Sequence, residues 1–117
     1  MDGRNDGRDD GRDGPLTAGD LGVERLGRRA TLVHFSSAFC APCRATRRIV
    51  ADVAALVEGV GHVEVDAESR LDLVRALGVT ATPTVLVLDA GGRIVRRATG
   101  QPRRADVIVA VGLAIGG

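Results

Sequence analysis

The chain has 117 residues, 44 % apolar and 26 % charged, enough for one domain with one core and too few for two ordinary ones. Its 16 basic residues, all Arg, stand against 15 acids, and the formal charge of +1 gives no case for a nucleic-acid or membrane partner. Phe35 and Phe39 are the only aromatics, so the core has to be aliphatic.

Residues 2–14 read DGRNDGRDDGRDG, with Asp-Gly-Arg repeating at 2, 6 and 10. Nothing in this stretch is apolar. It cannot bury enough surface to offset chain entropy, so a disordered tail over 1–14 is expected ahead of a domain over 15–117. A docking tail is the rival reading, but short polar repeats are ordinarily solvated linkers. The charged N-terminus lacks the apolar core of a signal peptide. No run reaches the roughly 18 apolar residues of a membrane span, and a cytoplasmic protein is the expectation.

Thr17 and Asp20 form a capping pattern for a short helix ending near Gly27. TLVHFS, residues 31–36, reads as a buried strand. A helix then opens at Cys40–Cys43 and runs to about Val57. Ile49, Val53, Leu56 and Val57 recur at helical spacing, while Arg44, Arg47, Arg48 and Asp52 supply a polar face. HVEVD, residues 62–66, alternates like a half-buried strand. Ser69 and Asp72 repeat the capping pattern before Leu71, Val74 and Leu77, and Gly78 is a natural stop. TVLVL at 84–88, turn residues at 89–92 and a returning strand at 93–99 predict a hairpin. Residues 106–115 read as a last helix. This order predicts an α/β fold: a mixed sheet, parallel across the early β–α–β connection and antiparallel at the late hairpin, with helices on both faces.

Cys40 and Cys43 are the only cysteines. A structural zinc site usually takes four ligands, and the remaining candidates, His34 and His62, lack the spaced pair of a finger. A lone Cys-x-x-Cys where a strand hands over to a helix is better read as a redox motif. The thiolate is the nucleophile, and unpaired amides with the dipole at a helix N-terminus stabilise an anion. Cys40, at the helix start, gains most from that field, and Cys43, one turn in, is placed to resolve a mixed disulfide. Pro42 fits the first turn, where its missing N–H costs little. Two inert thiols are the bland alternative, but inert cysteines have no reason to bracket a helix start.

FSSAFCAPCR at 35–44, followed by VTATPT at 79–84, resembles the thioredoxin family in order and spacing, and the likeness spans residues 16–115. The resemblance implies the three-layer α/β/α thioredoxin fold, with Cys40 as nucleophile and Cys43 as resolving cysteine. It implies a cis Thr82–Pro83 peptide beside the disulfide, with the backbone of Thr82 pairing with the substrate chain. Gly92 and Gly100 match hairpin glycines of the family, Gly100 near the substrate groove. Phe39, Ala41, Pro42, Thr82, Pro83 and Gly100 are thereby the expected substrate contacts. The implied activity is reduction of protein disulfides by a monomer. Its partners would be disulfide-containing clients and, as electron donor, a thioredoxin reductase using NADPH or a low-molecular-weight thiol. No metal or tightly bound cofactor is indicated. A dedicated oxidase or isomerase on the same fold, and a non-enzymatic partner-binding or redox-sensing module, are the rivals.

The departures from the family pattern matter as much. Its Trp before the first cysteine is Phe39, its Gly between the cysteines is Ala41, and its helix-kinking proline is Arg48. Its buried acid falls at His34, and the lysine often paired with that acid falls at His62. His34 is therefore a candidate proton shuttle, since imidazole titrates near neutrality. A core histidine bonded to backbone is the alternative. Arg44, Arg47 and Arg48 either add positive potential near the thiolate or form a solvated helix face.

Overall fold

The computed structural model describes residues 14–116, so the expected tail, apart from Gly14, lies outside the described residues. In chain order the elements are α1 (Ala18–Leu21), β1 (Ala30–Ser36), α2 (Ala41–Leu56), β2 (Val60–Asp66), α3 (Leu71–Ala76), β3 (Thr84–Asp89), β4 (Ile94–Thr99) and α4 (Arg104–Gly116). The strands form one sheet in the order β2-β1-β3-β4. β2 runs parallel to β1, as the intervening α2 requires, whereas β3 is antiparallel to both β1 and β4. All of β1 is buried, as befits an inner strand covered on both faces.

Alternate side chains of β1 feed two cores. Val33 and Phe35 join Leu21 of α1, Leu73 and Leu77 at α3, and Leu86 and Leu88 of β3. Ala30 and Leu32 join Val50 and Val53 of α2, Val85 and Val87 of β3, and Val107, Ala110, Val111 and Ala114 of α4. The result is a three-layer α/β/α fold with helices on both faces of a mixed sheet.

Several local expectations need correction. The capping box of Thr17 and Asp20 forms, but Gly22 adopts a left-handed conformation and closes α1 after one turn rather than near Gly27. Ser69 does not cap α3. Asp66, at the end of β2, accepts the Ser69 hydroxyl at 2.8 Å and the Glu68 amide at 2.9 Å, while Arg70 engages Asp72. The buried side chain within α3 is Leu73, with Leu77 just beyond it, and Leu71 is exposed. On α2 the buried positions are Cys43, Thr46, Val50 and Val53, and Leu56 is 69 % exposed.

At the β3–β4 turn, the Asp89 carboxylate accepts the amides of Gly91 and Arg93 at 2.9 and 3.0 Å. Gly92 there has φ +87°, and a Cβ on it would overlap the Leu16 carbonyl oxygen. The Leu16 amide donates to the Gly92 carbonyl at 2.9 Å, which fastens the start of the domain to the hairpin.

Candidate active site

The site sits where β1 ends and α2 begins. Ser37 to Phe39 carry the chain out of the sheet, and Cys40 is the N-cap of α2, in extended conformation, with Pro42 in the first turn. No acidic residue lies in that turn, so nothing there opposes the positive end of the helix dipole. Cys40 and Cys43 are joined in a disulfide with Cα atoms 5.2 Å apart. Their surroundings differ sharply. Cys40 is partly exposed, whereas Cys43 is 1 % exposed, turned under the helix toward the sheet.

Around the disulfide lies an open depression of about 430 Å³ lined by Ser37, Ala38, Phe39, Cys40, Ala41, Arg44 and Arg47. Phe39 is 99 % exposed, an aromatic ring offered to solvent next to the partly exposed Cys40. Arg44 makes no ion pair among the described residues. Pro42 is exposed but lies outside the lining, and so do Thr82, Pro83 and Gly100.

Two hydrogen bonds nevertheless tie those last segments to the site. The Thr82 and Ser37 hydroxyls are 3.0 Å apart. The Gly100 amide donates to the Pro83 carbonyl at 2.8 Å, with Gly100 at φ +88°. The Thr82–Pro83 bond is cis and Pro83 is buried. Segments 37–43, 82–83 and 100 thus form one connected rim. A second, mostly apolar cleft of about 270 Å³ between β4 and α4 contains no cysteine or histidine.

His34 shares the α2-facing side of β1 with Ala30 and Leu32 and is 1 % exposed. Its Nε2 has no hydrogen-bond partner among the described residues. Burial, chiefly, holds its pKa below the ordinary imidazole range; nearby Glu64 opposes that shift and Arg47 reinforces it. The expected pairing with His62 does not occur. His62 is exposed and lies opposite Leu32, whereas the strand partner of His34 is Glu64.

Sequence reasoning passed over Glu64. Its carboxylate accepts from Arg47 Nε at 2.7 Å, from Arg47 Nη2 at 2.6 Å and from the Ser36 hydroxyl at 2.6 Å. These partners, Arg47 first, pull its pKa down to about 2 against the cost of partial burial. The only signal was an acid at the centre of HVEVD, and alternation alone marks that position as solvent-facing. Among the described residues no cluster of three or more His, Cys, Asp or Glu could hold a metal. No helix described is long and apolar enough to cross a membrane.

The thioredoxin family model matches residues 23–111. The chain belongs to the thioredoxin family. Among solved structures it is similar to thioredoxin-2 of the malaria parasite, a component of that organism's protein secretion machinery. There the TM-score is 0.70 at 16 % identity, over 87 % of this chain and 96 % of that one. A point variant of thioredoxin from Halobacterium salinarum aligns with TM-score 0.69 at 19 % identity, over 75 % and 76 % of the two chains. Chloroplastic thioredoxin z aligns with TM-score 0.67 at 27 % identity, over 77 % and 81 %. No curated protein matches the sequence. Family membership together with a closed Cys-x-x-Cys pair makes this thioredoxin domain a thiol–disulfide oxidoreductase.

Proposed function

We propose that the domain works chiefly as a reductase of protein disulfides, with Cys40 as the attacking thiolate and Cys43 as the resolving one. The observation that carries this reading is the unequal access of the two sulfurs, Cys40 open at the helix start and Cys43 buried beneath it. A client disulfide reaches only the first.

In the reduced domain the Cys40 thiolate attacks one client sulfur and forms a mixed disulfide, releasing the first client thiolate. Cys43 then gives its proton to His34, and the Cys43 thiolate attacks the Cys40 sulfur. The Cys40–Cys43 bond forms, the Cys40–client bond breaks, and the second client thiolate leaves. The client has gained two electrons and, from solvent and the imidazolium, two protons. Phe39 offers an apolar face to the bound client chain, and the Thr82–Pro83 and Gly100 segments complete the rim. Electrons return from a thioredoxin reductase or a low-molecular-weight thiol.

The test has two parts. The reduced protein should turn over a protein disulfide such as insulin, and alkylation of the reduced form near neutral pH should label Cys40 well before Cys43. Absence of turnover, or faster labelling of Cys43, defeats the reading. Trapping with Cys43→Ser in a cell extract then identifies clients as mixed disulfides.

A further inference from the structure

His34 is buried, its Nε2 has no partner among the described residues, and the acid opposite it across the strand pair is already occupied. Glu64 stands opposite His34 in the β1–β2 register, and Glu64, like His34, projects from the α2-facing side of the sheet. Arg47 lies four residues beyond Cys43 on α2 and reaches down to grip Glu64. That grip ties α2 to β2 one turn beyond Cys43, directly across the strand pair from His34.

We propose that Glu64 is a positioning residue for proton transfer at His34, and that Arg47 holds the Glu64 carboxylate off the imidazole until a proton arrives. The proposal rests on the proton role given to His34 above. It puts an acid opposite the buried imidazole, supplied from β2 rather than β1.

The charges facing His34 support this arrangement. Glu64 comes from β2 and Arg47 from α2. From β3 the neighbour is Val85, which is neutral, and the buried residues of α4 are Val107, Ala110, Val111 and Ala114. His62, Glu64 and Asp66 share one side of β2 and are all exposed, but only Glu64 lies opposite His34; His62 faces Leu32 and Asp66 faces Ser36. With Arg47 in place, the resting imidazole is neutral and able to accept. When Cys43 loses its proton to His34, the new imidazolium lies across the strand pair from an anion that is already formed, and the attacking thiolate is not left to ionise alone. Three bonds hold that anion, and only one of them, from Ser36, is independent of Arg47. Loss of Arg47 would free the carboxylate to turn toward Nε2.

The experiment follows the His34 ring by NMR across pH and, in parallel, the resolution rate of a mixed disulfide between Cys40 and a model peptide. Glu64→Gln should lower the His34 titration midpoint and slow resolution about three- to tenfold near pH 7. The deficit should close toward pH 9, where the Cys43 thiol ionises unaided. Arg47→Gln should raise the midpoint, and Arg47→Lys, which keeps the charge, should stay near wild type. In a His34→Ala background, Glu64→Gln should add no further slowing. Arg47→Gln alters a half-exposed helix residue, so it keeps the test open even if the Glu64 variant folds poorly. Parallel pH profiles for wild type and Glu64→Gln, or midpoints moving the same way in Glu64→Gln and Arg47→Gln, overturn the proposal. If the wild type turns over its substrate while the Glu64→Gln profile stays parallel, only this inference falls. If the wild type has no turnover, the reductase reading falls and takes this one with it.

Discussion

Phe39 shows how a single residue can serve the surface rather than the core. It is one of two aromatics in the chain, yet 99 % of it is exposed, next to the partly exposed Cys40. A ring in that position contributes almost nothing to folding, so Phe39→Ala should shift the urea midpoint by no more than about 0.5 kcal/mol equivalent. The same change should raise KM for a protein disulfide several-fold with little effect on kcat, because it removes contact area and leaves both thiols in place. Steady-state kinetics against a protein client and a small disulfide separate the two effects, and an equal loss on both substrates would argue against a client-binding role. The cysteine pair was legible in the sequence because its spacing carries the chemistry. So was the unusual histidine, because the family resemblance places a buried acid at its position. Glu64 was not, because its importance depends on strand register, which alternation within one strand does not reveal.

Elements were easier to find than their faces. Val53 and Leu56 stand three apart on α2 and were expected on one apolar stripe. In the fold Val53 is fully buried and Leu56 largely exposed, because α2 meets the sheet along positions 43, 46, 50 and 53. Val53→Ala should therefore cost about 1–3 kcal/mol, two buried methyl groups plus a residual cavity, while Leu56→Ala should change stability by less than about 0.5 kcal/mol. Urea denaturation of both variants checks this, and equal losses would restore the original stripe. Helical periodicity fixes a face only to within about a residue when two apolar rows lie side by side, as Ile49 and Val50 do. The α3 start was misread for a related reason: Ser69 had two available partners, and the strand-end Asp66 captured its hydroxyl before the helix could.

At the scale of the molecule, the order of elements and the mixed sheet were legible because strand and helix periods differ and the hairpin turn is short. Two acid-sensitive groups then shape the stability of the whole. The His34 pKa is depressed by folding, so the unfolded chain takes up a proton that the native protein refuses, and stability declines as pH falls below the ordinary imidazole value of 6.5. Glu64 is depressed from 4.5 to about 2, so its contribution is complete above pH 4.5 and is lost as pH falls toward 2. Arg47 is half exposed and solvent screens the pair, so that second step is shallow. Urea midpoints measured from pH 8 to 2.5 should fall in two stages. Glu64→Gln should erase the lower stage and His34→Leu the upper, and a single stage unaffected by either variant would contradict the assignment.

The disulfide spans only three residues, so closing it removes less freedom from an unfolded chain than a long loop would, on the order of 2 kcal/mol. Any difference in stability between the oxidised and reduced domains beyond that arises in the folded neighbourhood of the two sulfurs. By a closed thermodynamic cycle, the whole difference is also how far folding displaces the potential of the couple, about 30 mV for each 1.4 kcal/mol. A calorimeter can therefore stand in for an electrode. A domain built to donate electrons should melt higher when oxidised, and one built to withdraw them should melt higher when reduced.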